Sequence, residues 1–473
     1  MLSLWDEVSV LYGLEVVAAN IDVSTTKKYI KLIVMYPHRS RCGGPRGIAI
    51  IQYGRGITTQ SDDSEPARSS ALQTIATAPA NIQQPVPEIH PGLSLSQDET
   101  FTTFTLLHFL PTSGVLGVAP GTITTKSFLA LATTYFGIKR QDSAITQFGL
   151  KRYSGALGAV HSALEESISS PTFDLLEAIM VMSLIEFLVS DRENGWINHA
   201  RGLERLFEMR GPEAMASLPC LMILERTRPS LIFAGLVLRK PTIMSNIEWK
   251  RDPWCLHPER VDSLKLMFDI LADCPSLFVL RDKLSSYPDE EIKKTAAQSL
   301  SEEFQRVVAS LDSWGERFAS DSSHTPDEIP AVRTTPIIED EYGTLRSAWS
   351  TVFRYHSLYH ANAMAMYNAT TILAFRFADS IHVSSGSPFE HHIRRKRISA
   401  AALSICRSID YHQQEMWGEQ GSFALLFPLR MAYDGLSEEE PTVGAWLQSV
   451  MHDISAGKQG LWRSAKSLLE IGR

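Results

Sequence analysis

Two histidines, His356 and His360, stand four residues apart, a spacing that puts two imidazoles on one helix face and suits a zinc ion. Position 357 is Ser, where a zinc protease of the HExxH kind needs Glu as general base, and no third ligand is evident. Hydrogen-bonded histidines on a packed helix are therefore expected. Asp62-Asp63-Ser64-Glu65 resembles an acidic magnesium motif, but it sits in a Ser/Pro-rich stretch and has no second motif to complete it. There is no phosphate-cradling Gly-rich loop with Lys, no GxSxG elbow and no cysteine in a nucleophile setting. Catalysis has no visible seat in the sequence. The expectation is a non-enzyme with no catalytic residues, no metal site and no cofactor.

Cys42, Cys220, Cys255, Cys274 and Cys406 lie far apart, so reduced, buried thiols are expected. Lys27, Lys28, Lys31, Arg39, Arg41, Arg46 and Arg55 fall in a window, Val23 to Ser61, without any acidic residue, and such a window can contact phosphates. Its bland alternative is a solvated arm. His391-His392-Ile393-Arg394-Arg395-Lys396-Arg397 is a cationic run of the kind nuclear importers read. Arg394, Arg395, Lys396 and Arg397 at a helix start oppose the macrodipole, so carboxylates of neighbouring helices are expected to offset them. Trp196, His199, Arg210, Glu225 and Arg228 are the polar and aromatic members of the most apolar helices. They mark a possible effector pocket. The structural alternative is an Arg paired with a Glu under an aromatic lid: Arg210 is expected to pair with Glu225 or Glu186. Met180, Met182, Met209, Met215 and Met222 read as core filler.

The elements that must position these residues are helical. Trp196, His199/Ala200, Leu203, Leu206/Phe207 and Arg210 recur at three- and four-residue steps, and Gly211-Pro212 stops the pattern. Residues 173–190 are apolar nearly all round, as a buried helix should be. Pro229 is expected to kink or split the next helix, which ends at Lys240 before Pro241. Helices are predicted near 126–138, 142–166, 173–190, 195–210, 214–240, 259–285, 289–318, 340–377, 392–415, 422–434, 439–456 and 460–470, with no sustained strand alternation after residue 125. The fold class expected is all-α, an irregular multi-helix bundle or stack with a largely disordered N-terminal region. Its parts are a basic segment over 1–56 with short strand-like runs, a mostly disordered Ser/Thr/Pro-rich linker over 57–124 whose apolar island at 106–121 can dock on the core, and a helical domain over 125–473.

At 473 residues the chain can bury a large core, and 44% apolar and 21% charged residues are ordinary for a globular protein. A net charge of −8 argues against a general nucleic-acid sponge while allowing a local basic patch. MLSLWDEVSV meets Asp6 and Glu7 at once and is not read as a signal peptide, and no apolar run has the length of a membrane span.

The run from Trp196 to Pro212 with the Arg239-Lys240-Pro241-Thr242 stop, SFLALATTYFGIKRQDSAITQFGLKRYSGAL (127–157), GSFALLFPLRMAY (421–433) and WLQSVMHDISAGKQGLW (446–462) together resemble the regulatory region of fungal zinc-cluster transcription factors. The resemblance covers roughly 125–470. It implies a nuclear regulator of RNA polymerase II transcription, often of a metabolic or secondary-metabolite gene set, acting through its helical domain. It also implies as partners DNA, other transcription factors or coactivators, and a second copy of the chain. The family's DNA-binding module is a six-cysteine binuclear zinc cluster, and Arg41-Cys42-Gly43-Gly44 followed by IAIIQY (48–53) resembles the segment after its last cysteine. Cys42 is the only cysteine before Cys220, and one thiolate cannot hold the metals. Zinc is expected only if the cluster is missing from the sequence in hand, and direct DNA binding is in doubt. The competing expectation is a co-regulator or effector-binding module without DNA contact of its own, partnering an intact zinc-cluster factor.

Overall fold

The computed structural model describes residues 32–34, 49–51, 96–109, 121–166, 171–189, 195–284, 286–331, 335–339, 344–381 and 388–455. The chain divides into two units, broadly residues 16–97 and 98–473, each taken by itself. In the first, β1 (Leu32–Val34) pairs antiparallel with β2 (Ala49–Ile51), Leu32 opposite Ile51. Lys27, Lys28, Lys31, Arg39, Arg41, Arg46, Cys42 and Asp62 lie outside the described residues, as does the final predicted helix over 460–470.

The second unit is helical, as its periodicity predicts. It begins earlier than expected. Helix α1 (Gln97–His108) falls in the stretch read as linker. Its Thr-rich composition hides an aromatic pair one turn apart: Phe101 and Phe104 pack on Phe136 at 4.9 and 5.0 Å between ring centroids. Arg152 ties the helix down through Asp98 at 2.7 Å.

Helices α2 (Ile123–Lys139) and α3 (Ser143–Glu166) form a hairpin. Thr122 caps the first by accepting from Thr125 N at 3.1 Å, and Asp142 caps the second by accepting from Ile145 N at 3.0 Å. The two touch nearly backbone to backbone. A Cβ added to Gly149 would stand 2.3 Å from Thr134 Oγ1 and 2.6 Å from Thr134 N.

Helix α4 (Phe173–Val189) is buried on most of its circumference, as its apolar run requires. Helix α5 (Gly195–Arg210) buries Trp196, Ile197, Ala200, Leu203, Leu206 and Phe207, the predicted stripe. Gly211 ends it at φ +77°, a left-handed conformation that glycine adopts without a Cβ clash. Helix α6 (Leu218–Leu238) runs on through Pro229 rather than splitting, and stops at Arg239 in the left-handed region.

After the short α7 (Ile247–Arg251) come α8 (Ser263–Leu271), capped by Asp262, then α9 (Cys274–Leu284) and α10 (Glu290–Trp314). The helix predicted over 340–377 starts only at Leu358. In its place four short strands pair antiparallel: β3 (Asp327–Pro330) with β6 (Thr351–Arg354), and β4 (Ile337–Glu339) with β5 (Leu345–Ser347). The helix expected from residue 340 is corrected here, while the absence of sustained alternation holds. Three- and four-residue strands with one well-buried side chain, Val352, are too short to display alternation. Helices α11 (Leu358–Ile381), α12 (Pro388–His412), α13 (Gly418–Leu436) and α14 (Pro441–Ser455) close the unit.

One continuous apolar cluster runs from Phe109 to Ile454 through these helices. Among the described residues no helix is long and apolar enough to cross a membrane.

Candidate functional site

Two helices of this core carry a proline inside them: α6 at Pro229 and α13 at Pro428. A helical proline has no N–H to give to the carbonyl four residues earlier, and its ring crowds that carbonyl. The carbonyls affected belong to Glu225 and Ala424. Both residues line a cavity of about 240 Å3, walled also by α4, α5, α8 and α11. Phe233 and Phe427 meet across the two helices at 5.0 Å between centroids.

The wall is chemically divided. Met180, Leu184, Phe233, Phe423 and Phe427 are apolar and come from α4, α13 and the second half of α6. The charged members come from the first half of α6 and from residues 254–265. There Glu225 accepts from Arg260 Nε at 3.0 and 3.1 Å, closes a second bond to its guanidinium, and accepts from Trp254 Nε1 at 3.2 Å. Arg228 donates to Asp269 and to the Lys265 carbonyl at 3.2 Å. Lys265 Nζ donates to Asp269 Oδ2 at 2.6 Å and to the Lys250 carbonyl at 2.7 Å. Trp254 lies between these cations: Arg228 Cζ is 5.2 Å and Lys265 Nζ 4.7 Å from its ring centroid. Burial pulls the Lys265 ammonium below its ordinary value, with Asp269 opposing. Asp262, which caps α8 by accepting from Lys265 N at 2.8 Å, is pushed up to about 6, chiefly by burial.

Two buried polar atoms of wall residues lack a hydrogen-bond partner: Arg228 Nε and Asn362 Oδ1. Arg228 is 2% exposed and Asn362 4%.

Of the residues singled out in the sequence, Glu225 and Arg228 line this cavity; Trp196, His199 and Arg210 do not. Trp196 sits a layer behind, stacked on Phe187, which in turn meets the lining Phe423 edge-on at 5.2 Å. His199 Nε2 is 3.0 Å from Tyr153 Oη, which donates to Glu186 at 2.5 Å, and burial keeps this imidazole below its ordinary pKa while Glu186 raises it. Arg210 is a correction. Its expected carboxylates are taken, Glu225 by Arg260 and Glu186 by Tyr153, and Arg210 instead donates to the Pro171 carbonyl and approaches Cys220 Sγ at 3.8 Å. It stands at the C-terminal end of α5, where the carbonyl of Pro171, just ahead of α4, accepts from it.

The basic run is helical and engaged, as the macrodipole argument anticipated. Arg394 pairs with Asp379 at 3.0 Å, Arg395 with Glu439, and Arg397 with Asp312 at 2.6 Å; Lys396 is exposed. His356 precedes α11, so the two histidines do not share a helix face. His360 accepts or donates at Ser357 Oγ, 2.8 Å away, and burial with the neighbouring His324 and His356 lowers it to about 4. Among the described residues no group of His, Cys, Asp and Glu is arranged to hold a metal ion. Cys220, Cys274 and Cys406 are free and buried, but Cys255 is exposed. Met209, likewise, is 43% exposed rather than core.

One arrangement was invisible in the sequence. Ser263 Oγ lies 2.7 Å from His324 Nε2, a nucleophile–base distance. The same oxygen also meets Tyr359 Oη at 2.9 Å, both residues are buried, and neither lines the cavity. His324 Nδ1 faces Ser323 rather than a carboxylate. The trio reads as a polar staple joining α8, α11 and the 321–325 turn.

Arg260, Asp262, Lys265, Trp254 and Asn362 were also missed. Four of the five sit in or just after irregular structure, where no period marks a buried residue. The available signal was the proline in each of two apolar helices. Comparison with models of known families, with curated proteins and with solved structures gives no match.

Proposed function

We propose that this chain is a nuclear, transcription-factor-like regulator of RNA polymerase II transcription whose helical unit senses a small effector. The observation that carries the reading is the cavity between α6 and α13: a mostly apolar space with a charged edge, inside a mostly helical core. Such a space suits reversible binding. The resemblance of residues 125–470 to fungal zinc-cluster regulators supplies the biological setting, including the expected metabolic or secondary-metabolite gene set and partners among other transcription factors and coactivators.

The chain tethered to a heterologous DNA-binding module upstream of a reporter is expected to change transcription several-fold. A reporter unmoved by the tethered chain, with the fusion present in the nucleus, would overturn the reading.

A co-regulator that acts on an intact zinc-cluster partner is a second form of the same role. Gel shift of the purified chain separates the two. Zinc-dependent binding to a short duplex supports the first form; no retardation with or without zinc supports the second.

A further inference from the structure

Helix α3 turns Gly149, Tyr153, Ala156 and Val160 inward, at the three- and four-residue steps of one helix face. Beside that face it carries leucines that the fold leaves open. Leu150, Leu157 and Leu164 stand seven residues apart and are 37%, 40% and 36% exposed. A leucine row repeating every seven residues is what one helix presents to another in a coiled-coil seam.

A second row runs next to the first at the same spacing: Lys151, Gly158 and Glu165, all exposed. Lys151 enters no salt bridge among the described residues, and Glu165 meets the exposed His161 of its own helix at 3.3 Å. Gly158 has no neighbour within 4 Å of where a Cβ would stand. Glycine inside a helix costs stability relative to alanine, and nothing in the fold requires it there. Gly149 is the contrast on the same helix, because α2 fills the space where its Cβ would be. Open space beside Gly158 lets a further backbone come close.

The two rows are symmetric in spacing and opposite in charge. Leu157 has a leucine seven residues to either side; Gly158 has a lysine seven before it and a glutamate seven after. A two-fold axis at Gly158 lays a second α3 antiparallel on the first. It sets Lys151 of each copy near Glu165 of the other and brings the leucine rows together. A parallel arrangement would set lysine against lysine and glutamate against glutamate. The charges therefore select a second copy of this chain, turned end for end, as the occupant of the face. From Leu150 to Glu165 the seam is roughly 24 Å long, which is small for a permanent interface.

We propose that the chain forms a weak antiparallel dimer through the Leu150, Leu157 and Leu164 face of α3, with Gly158 of both copies at the axis and Lys151 of each copy paired with Glu165 of the other. This interface goes beyond the regulatory role proposed above and depends neither on that role nor on the cavity.

Sedimentation equilibrium of the full chain over a range of concentrations tests it, and a reversible monomer–dimer equilibrium is expected. Leu157→Glu is expected to weaken association by about tenfold. Lys151→Glu and Glu165→Lys, each alone, put like charges across the axis and are expected to weaken it several-fold. An equimolar mixture of those two variants restores opposite charges at both contacts, and it is expected to associate as the unaltered chain does. Gly158→Met fills the space at the axis. It is expected to weaken association while raising the melting temperature, since methionine favours the helix and meets nothing within the fold. A chain that stays monomeric at every concentration, a dimer indifferent to Leu157→Glu or to Gly158→Met, or charge reversals without effect would each overturn the proposal. So would a mixture that associates no better than either variant alone, a comparison that needs no other variant to fold.

Discussion

Helices α2 and α3 meet where Gly137 and Gly149 let their backbones almost touch, while α6 and α13, each with a proline within the helix, flank a cavity. The first contact leaves no room for a methyl group at Gly149, with Thr134 N at 2.6 Å from the Cβ position. The second surrounds about 240 Å3 of free space and places paired charges on its wall. Both regions belong to one apolar cluster. The difference shows that a single helical core can hold a close-packed part, where shape is set by backbone approach, and a looser part, where shape depends on polar pairing. Both regions hold buried polar atoms without a hydrogen-bond partner, Thr134 Oγ1 in the first and Arg228 Nε and Asn362 Oδ1 in the second, but the second surrounds the cavity.

Removing one side of a buried ion pair is the harshest challenge to this contrast. Glu225→Ala leaves Arg260 buried without its carboxylate and Trp254 Nε1 without its acceptor, and a loss of about 3–5 kcal/mol is expected in urea unfolding. A loss below about 1 kcal/mol, the range of exposed pairs, would mean that the charged wall is solvated and that the two regions differ less than argued.

Gly149→Ala probes the other side. The added methyl forces α2 and α3 apart, and a loss of about 2–3 kcal/mol is expected in urea unfolding. An unchanged melting temperature would show that the close approach yields easily.

The smallest effect is also the one with a sign that depends on pH. Asp262 has its folded pKa raised to about 6, above the ordinary carboxylate value of 3.8. Between those values the folded protein keeps a proton that the unfolded chain has released, so this group's contribution to stability is full below pH 3.8 and is lost as pH rises through about 6. Asp262→Asn keeps a capping side chain and removes the charge. It is expected to stabilise the protein by about 2 kcal/mol at pH 7 and by almost nothing at pH 3.5. Destabilisation at pH 7 would show that the carboxylate is held by Arg260 more strongly than burial opposes it, which would make the charged wall tighter still.

Much of the architecture was readable beforehand because helix burial is periodic. The stripe from Trp196 to Phe207, the stop at Gly211-Pro212 and the all-round apolar α4 follow from local spacing alone. Helix α1 was missed because Thr residues dilute the Phe101–Phe104 pair, and the strands around 327–354 were missed because three or four residues are too few to show a period. Arg210 was given the wrong partner for a different reason: a sequence shows which groups need a partner, not which of several is nearest. The same holds for the arginines at 394, 395 and 397, whose need for carboxylates was legible while Asp379, Glu439 and Asp312 were not.

By itself, then, the order of residues determined that this chain is built of helices, where most of them start and stop, and which faces they bury. Those properties depend on neighbours within a turn or two, and short-range sterics and periodic apolarity are sufficient to set them. Only the tertiary structure decided that Pro229 and Phe427 line one cavity, that Glu225 belongs to Arg260, and that Asn362 Oδ1 lacks a partner. Those outcomes join residues up to about two hundred positions apart, and packing chooses among many pairings that local chemistry leaves equally good.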